Sequence, residues 1–214
     1  MEEVEDLADA IGEALLARKQ TVAVAEATSG GLITGKLLLL RTELSLQPYF
    51  RILHHLTFIV SDPKASLMGR SRASRFYKGS ITVYTRVAGR ELLPKDVRHK
   101  VFVKDYADPS FDHNSYRESK ITFVLNMANH VRNRFEATYG IAESGATEAN
   151  GLGKKLRPAG AFTAVAVVGP NNFQRVAIFD SEESNDRRGN MKRFAAACLR
   201  NFKDALGHEK ISKL

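Results

Sequence analysis

The sequence predicts an α/β protein built on a mixed β-sheet, and three observations lead to this fold class. Apolar residues recur at helical spacing near both ends of the chain, over residues 4–15 and 191–206. A short buried strand over residues 21–25 leads through a glycine turn into a second helix-like run. Near the C-terminus, two apolar runs flank the turn residues 169–172, which is typical of an antiparallel hairpin.

The remaining elements follow in an α/β order, with two stretches that lack a clear period. Residues 41–69 are interpreted as an insertion, or as the product of a gene model that retains an intron. Residues 92–114 contain two prolines and several aspartates and are predicted as a loop. Asn185 or Asp186 is expected to cap the last helix. In order, we predict a helix over 4–15, a strand over 21–25, a helix over 32–40, a strand over 78–85, a helix over 116–138, a strand over 141–145, hairpin strands over 161–168 and 173–179, and a helix over 191–206.

The composition is that of one globular domain over residues 1–214. No apolar run approaches the ~20 residues that a membrane span requires, and the first residues are acidic. We therefore expect a cytoplasmic protein with no membrane partner. The single cysteine, Cys198, excludes an internal disulfide and fits a reducing compartment. Because it lies on an apolar helix face, we predict that it is buried.

The net charge of +8 raises the possibility of an anionic partner. Basic residues cluster at 70–75, 154–157 and 187–193, but no nucleic-acid-binding motif accompanies them. We interpret the clusters as a solvated surface and do not expect nucleic acid as a partner. A phosphorylated small molecule remains a candidate ligand.

Two predicted strands end in matching polar residues. Glu26 is followed by Thr28 and Ser29, and Glu143 is followed by Ser144. If these strands are parallel, their carboxyl ends meet in one crevice, where open α/β folds bind ligands. There the hydroxyls would serve as donors or nucleophiles and the carboxyls as acids or bases. The alternative is that Thr28 or Ser29 only caps the following helix.

A further pair, Tyr84 and Arg86, ends the strand over residues 78–85. A phenol and a guanidinium at a strand end suit a phosphate or carboxylate ligand. The alternative is an exposed tyrosine at the edge of the sheet.

Residues 30–36 fit the G-x-x-x-x-G-K pattern of a phosphate-binding loop. Two features argue against a nucleoside triphosphatase. Leu37 lacks the hydroxyl that would hold Mg²⁺, and residues 32–40 have the pattern of a continuous helix. We keep this interpretation as the weakest alternative.

Four segments resemble the C-terminal domain family of CinA, whose best-known members are nicotinamide-nucleotide amidohydrolases. They span nearly the whole chain in the family's order, and the first two are the more specific. The tail Asp186-Arg187 before an apolar helix is similar to the family's Gly-Asp-Arg element. The segments are AEATSGGLI (25–33), ASRFYKGSITVYT (73–85), ESGAT (143–147) and RPAG (157–160).

The resemblance implies a three-layer α/β/α sandwich with a mixed sheet that assembles as a homo-oligomer. It also implies hydrolysis of the amide of nicotinamide mononucleotide (NMN) to nicotinate mononucleotide and ammonia. No metal and no cofactor would be required. A serine would attack the amide carbon, a lysine would assist proton transfer, and backbone N–H groups would hold the oxyanion.

The departures from the family fall on this chemistry. Ala27 stands where the family has its nucleophilic serine, and Gly89 stands where it has the lysine. Arg90, beside Gly89, is a poor proton acceptor because it stays charged. Residues 148–149 replace a Gly-Pro pair. Hydrolysis therefore requires other residues, and a non-catalytic protein that binds a pyridine nucleotide or a partner protein is the alternative.

For an active enzyme we predict Ser29 or Thr28 as the replacement nucleophile and Tyr84 as a proton-transfer or orienting group. Glu26 would orient the turn, and the N–H groups of Gly30 and Gly31 would form the oxyanion site. The predicted substrate-binding residues are Glu26, Ala27, Gly30, Gly31, Arg86, Ser144 and Gly145.

Overall fold

A computed structural model describes residues 2–34, 73–101 and 110–208. The predicted insertion at 41–69 lies outside these residues, as does most of the predicted helix 32–40, of which residues 32–34 are helical. The described elements are α1 (Glu2–Arg18), β1 (Val22–Glu26), α2 (Ala73–Phe76), β2 (Tyr77–Thr82), α3 (Arg86–Leu92), α4 (Lys95–Val101), α5 (His113–Arg134), β3 (Tyr139–Ala146), a 3₁₀ turn (Arg157–Ala159), β4 (Ala161–Val168), β5 (Gln174–Ser181) and α6 (Arg187–His208).

The strands of the described chain form one mixed sheet in the order β2-β1-β3-β4-β5. β1 runs parallel to both β2 and β3. β4 is antiparallel to β3, and β5 is antiparallel to β4. The predicted C-terminal hairpin is thus confirmed, and Asn171 and Asn172 in its turn adopt the positive φ that asparagine tolerates.

Alternation along β1 places helices on both faces of the sheet. Val22 and Val24 pack with α1 and α6 in one core, whereas Ala23 and Ala25 pack with α5 in the other. Successive side chains of a strand point to opposite faces, so a strand buried on both sides has no polar face. The predicted three-layer α/β/α sandwich is confirmed.

The two helices on the first face follow the sequence pattern. In α1, Leu7, Ile11 and Leu15 are buried against the sheet. α6 begins after Asp186, whose Oδ1 accepts from the Gly189 N–H at 2.9 Å, so Asp186 is the cap. Cys198 is fully buried on α6, as predicted, and burial raises the pKa of its thiol well above the usual range. Within the described part of the chain, no helix is both long enough and apolar enough to cross a membrane.

The prediction of a loop over residues 92–114 is wrong at both ends. α4 occupies Lys95–Val101, and α5 already begins at His113. Pro94 does not break α4, because a proline at the start of a helix lacks only an N–H that has no intrahelical partner. The start of α5 is set by Asp112, which accepts from the Ser115 N–H at 2.9 Å.

Two element boundaries also differ from the prediction. β2 ends at Thr82, and Thr85, predicted as strand, instead caps α3 by accepting from the Ala88 N–H at 3.2 Å. α5 ends at Arg134, before the predicted end at residue 138, because the chain turns through Glu136 at φ +50°. A non-glycine residue with positive φ cannot continue a right-handed helix.

The contact between α5 and β3 yields a test of this packing. A methyl group at Gly140 would overlap the backbone carbonyl oxygen of Ala128 on α5. We expect Gly140→Ala to lower the free energy of unfolding by about 3 kcal/mol, because the helix must move away from the sheet. Gly207→Ala on α6 is the control, since its methyl group meets nothing within 4 Å. Urea denaturation of both variants measures this, and equal stability of the two would contradict the packing.

Candidate active site

The candidate site lies where the parallel strands β1 and β3 end. Glu26 and Glu143 are direct neighbours in the register of the two strands. The two strands are therefore parallel, and their carboxyl ends lie side by side. Both glutamates are buried, and their side chains accept hydrogen bonds from the turn after β1.

Glu143 holds this turn from the neighbouring strand. Its carboxylate accepts from the N–H of Ala27 at 2.9 Å and from the N–H of Ser29 at 2.7 Å. The Thr28 hydroxyl also donates to it. From β4, Thr163 Oγ1 donates to the same carboxylate at 3.1 Å. One buried carboxylate thus ties the ends of β1, β3 and β4 together.

Glu26 occupies the start of the helix that follows the turn. It accepts from the N–H groups of Gly31, Ile33 and Thr34 at 3.0, 2.9 and 2.6 Å. The turn reaches this position through Gly30 and Gly31 at φ +64° and +98°. The prediction that the Gly31 N–H serves an oxyanion is therefore wrong, because a protein carboxylate takes that donor. Because Glu26 already accepts from these N–H groups, they are not available to bind a phosphate at this turn.

Ser29 connects the two carboxyls and is fully buried. Its Oγ lies 2.7 Å from Glu26 Oε2 and 2.7 Å from Glu143 Oε1. A hydroxyl has one hydrogen, so it donates to only one of these carboxyl oxygens at a time. Burial raises the pKa of Glu26, and its hydrogen bonds with Thr34 and Ser29 oppose this effect.

A cavity of about 290 Å³ opens beside the turn, between β1, β3 and α5. Its volume lies near the lower end of the range for small-molecule sites. Apolar and aromatic side chains share its walls with polar and charged ones. The described residues that line it include Ala27, Thr28, Val83, Tyr84, Thr85, Arg86, Gly89, Val101, Tyr116, Ser119, Lys120, Phe123, Ser144, Gly145, Ala146, Thr147, Glu148, Gly151, Leu152 and Arg187.

The structure brings six of the sequence-predicted site residues to this cavity. Glu26, Ser29, Gly30 and Gly31 do not line it, so Ser29 offers no hydroxyl to a ligand there. Tyr84 lies at the mouth, with 75% of its surface exposed. The six residues that line the cavity are Ala27, Thr28, Tyr84, Arg86, Ser144 and Gly145.

Lys120 is one of two basic residues of this cavity that the sequence analysis did not predict. It reaches in from α5, and its Nζ lies 3.3 Å from Ser144 Oγ. Burial lowers the pKa of Lys120 to about 8, an effect that nearby Glu143 opposes and Arg86 reinforces. Gly89, where the resemblance implies a lysine, lines the same cavity.

The sequence did contain a sign of Lys120. It lies four residues after Tyr116 and four before Val124, and both of these side chains are buried on α5. A lysine within the apolar stripe of a helix must either extend to solvent or enter a cavity. Only the packing of α5 on the sheet shows that it enters the cavity.

Arg187 was also missed as a site residue, although its position in the Asp-Arg element was noted. From the first turn of α6 it donates to Thr147 Oγ1 at 2.8 Å and pairs with Glu148 at 3.4 Å. Its other terminal nitrogen donates to the Tyr84 hydroxyl at 3.4 Å. Arg187 thus links both sides of the cavity mouth.

Within the described residues, no group of three or more His, Cys, Asp or Glu side chains is placed to hold a metal ion.

The raised pKa of Glu26 predicts an unusual dependence of stability on pH. A protonated carboxyl stabilises the fold fully below its unfolded pKa of about 4.5, and this contribution is lost as the pH rises through the folded pKa. We expect Glu26→Gln to abolish that decline, whatever its absolute stability. Urea denaturation from pH 4 to 8 measures it, and Glu118→Gln, at an exposed site, is the control. An unchanged pH dependence in Glu26→Gln would contradict a raised pKa at Glu26.

Comparison with known proteins identifies the fold but no close relative. No family model matches the chain, and no curated protein matches it in sequence. Among solved structures, a CinA-superfamily protein from Klebsiella pneumoniae is similar, with a TM-score of 0.63 and 16% identity over 96% of this chain and 98% of that one. The competence/damage-inducible protein CihA from Agrobacterium tumefaciens has a TM-score of 0.63 and 18% identity over 96% of each chain. A CinA-superfamily protein from Escherichia coli has a TM-score of 0.60 and 16% identity over 93% of this chain and 88% of that one. At such identities the likeness establishes the architecture, and the chain has the fold of the CinA-superfamily proteins.

Proposed function

We propose that the cavity binds a phosphorylated pyridine nucleotide of the size of NMN. The observation that carries this proposal is the convergence of Arg86, Lys120 and Arg187 on one cavity from three different helices. Against these three cations, Glu148 is the acidic side chain among the described lining residues. An excess of positive charge in a concave site favours an anionic ligand.

The walls of the cavity supply the apolar surface that a nucleotide base requires. Tyr116 and Phe123 from α5 present aromatic surface, and Val83 and Val101 present aliphatic surface. Small-molecule sites combine such apolar walls with a few polar groups that fix orientation. A pyridine ring would lie against the apolar wall while its phosphate meets the arginines.

A site that binds NMN does not by itself provide a nucleophile at the turn after β1. Ala27 lines the cavity at the position where the resembled family carries its nucleophile, and a methyl group cannot attack an amide. The names of the similar structures specify no substrate. NMN is therefore proposed from the resemblance of the sequence motifs and from the charge and walls of the cavity.

The role of the arginines predicts that binding depends on the phosphate. We expect NMN to bind at least ~10-fold more tightly than nicotinamide riboside, which lacks the phosphate, and Arg187→Ala to remove most of this difference. Isothermal titration calorimetry measures both dissociation constants. Arg188→Ala is the matched control, because Arg188 is the exposed neighbour of Arg187 and does not line the cavity. Equal affinities for the two ligands, or equal losses in the two variants, would contradict a phosphate site at Arg187.

The ion pair between Arg187 and Glu148 predicts that removing the charge of Glu148 increases the affinity for NMN. Glu148 competes with a bound phosphate for the guanidinium, from which it is separated by 3.4 Å. We expect Glu148→Gln to tighten NMN binding by about threefold and to leave nicotinamide riboside unaffected, because the competing charge is removed. The same titration detects this, and weaker NMN binding in Glu148→Gln would show that the carboxylate supports the ligand.

A further inference from the structure

A serine hydroxyl and a lysine amine meet inside the cavity. Ser144 Oγ and Lys120 Nζ are 3.3 Å apart, and both residues line the cavity wall between β3 and α5. We propose that Ser144 and Lys120 form a nucleophile–base pair that hydrolyses a carboxamide held in this cavity. The substrate named here, the nicotinamide group of NMN, rests on the proposed function, whereas the pair itself rests on the geometry.

Among the hydroxyls predicted as nucleophiles or contacts, the surroundings favour Ser144. Ser29 is fully buried between two carboxyls and does not line the cavity. Thr28 lines it, but its hydroxyl donates to Glu143, which also accepts from backbone N–H groups. A carboxylate whose oxygens already accept several hydrogen bonds has little acceptor capacity left to take a proton from Thr28. The hydroxyl of Ser144 instead faces an amine, which is the stronger base once it is neutral.

The surroundings of Lys120 favour that neutral form. Its Nζ lies 5.3 Å from the ring centroid of Tyr116 and 5.9 Å from that of Phe123. Burial against these rings lowers the pKa of Lys120 to about 8, with Arg86 acting in the same direction. About a tenth of the lysine is then neutral at pH 7, compared with a negligible fraction at its ordinary pKa. Arg86 also places a permanent positive charge near the amine.

The first half of the reaction forms an ester. Ser144 Oγ bonds to the carbonyl carbon of the amide, and its proton passes to Lys120 Nζ. The tetrahedral intermediate collapses as the C–N bond breaks, and Lys120 returns the proton to the leaving nitrogen, so that ammonia departs. This leaves an acyl ester on Ser144 and a neutral lysine.

The second half restores the enzyme. Lys120 takes a proton from water while the water oxygen bonds to the ester carbon. The bond from carbon to Ser144 Oγ then breaks, and Lys120 returns the proton to the serine. Amide and water are thereby converted to carboxylic acid and ammonia, which exchange a proton in solution to give carboxylate and ammonium. No oxidant, reductant or metal enters the balance.

Covalent labelling tests the pair without reference to the natural substrate. We expect phenylmethanesulfonyl fluoride to modify Ser144, forming a bond from its Oγ to sulfur as fluoride leaves, with peptide mass spectrometry locating the adduct. Lys120→Met should slow this labelling by at least ~100-fold. The wild-type rate should rise with pH to a plateau, with a midpoint at the Lys120 pKa of about 8. Lys203→Met on the exposed face of α6 is the matched control and should label like the wild type.

Turnover of NMN gives the second readout, by ammonia release from purified protein. Ser144→Ala removes a single oxygen atom, so it keeps the test decisive even where Lys120→Met does not fold. We expect at least ~100-fold loss of activity in Ser144→Ala. Thr122→Ala is the matched hydroxyl control, since Thr122 on α5 bonds only to the backbone of its own helix in the contacts described.

The outcomes separate this proposal from the proposed function. NMN binding without ammonia release and without Ser144 labelling overturns the catalytic pair and leaves the binding site standing. Lys120-dependent labelling of Ser144 without NMN binding supports the pair and overturns the pyridine-nucleotide ligand. Labelling at Thr28 instead of Ser144, or labelling of Ser144 that is unaffected in Lys120→Met, overturns the pair.

Discussion

The site depends on the buried carboxylate of Glu143. It accepts hydrogen bonds from residues 27–29 after β1 and from Thr163 on β4, so three strand ends are fixed relative to one another through one side chain. Burying such a charge is tolerated only when donors replace its lost hydration. Ser29 connects it to Glu26, which accepts from the N–H groups at the start of the next helix. The turn after β1 is therefore specified by polar contacts from a strand more than a hundred residues away, and its exposed side borders the cavity.

This arrangement places opposite charges on the two sides of the turn. Glu26 and Glu143 lie behind it, where backbone and hydroxyl donors satisfy them. Arg86, Lys120 and Arg187 lie in front, around the cavity. The attraction of Glu143 only partly offsets the effect of burial on the pKa of Lys120. The cavity can thus remain attractive to anions although two carboxyls are close to it, and its lysine can still lose its proton near neutral pH.

Local sequence patterns were sufficient for most of the fold and for part of the site. Apolar runs, helical periodicity and a capping residue such as Asp186 act over a few positions, and they predicted all five strands and the helices α1, α5 and α6, although β2 and α5 end earlier than predicted. The helix α4 was missed because Pro94 is a helix breaker in most positions and a helix starter in one. Lys120 and Arg187 were missed for a different reason. Their roles depend on which distant elements pack beside them, and no local period of the sequence contains that information.

The contrast between two serines shows how such context decides chemistry. Ser29 and Ser144 both follow a glutamate at a strand end, and the sequence gives no reason to distinguish them. In β3, however, successive side chains point to opposite faces, so Ser144 faces away from Glu143 and towards α5. Its register partner Ala164 belongs to the core on that same face. Ser29 instead lies in the turn, where Glu143 reaches it directly. The Ser29 hydroxyl therefore completes a buried carboxyl network, whereas the Ser144 hydroxyl meets the amine of Lys120. The position of each serine, in the turn or on the α5 face of β3, determines which of them can face a ligand.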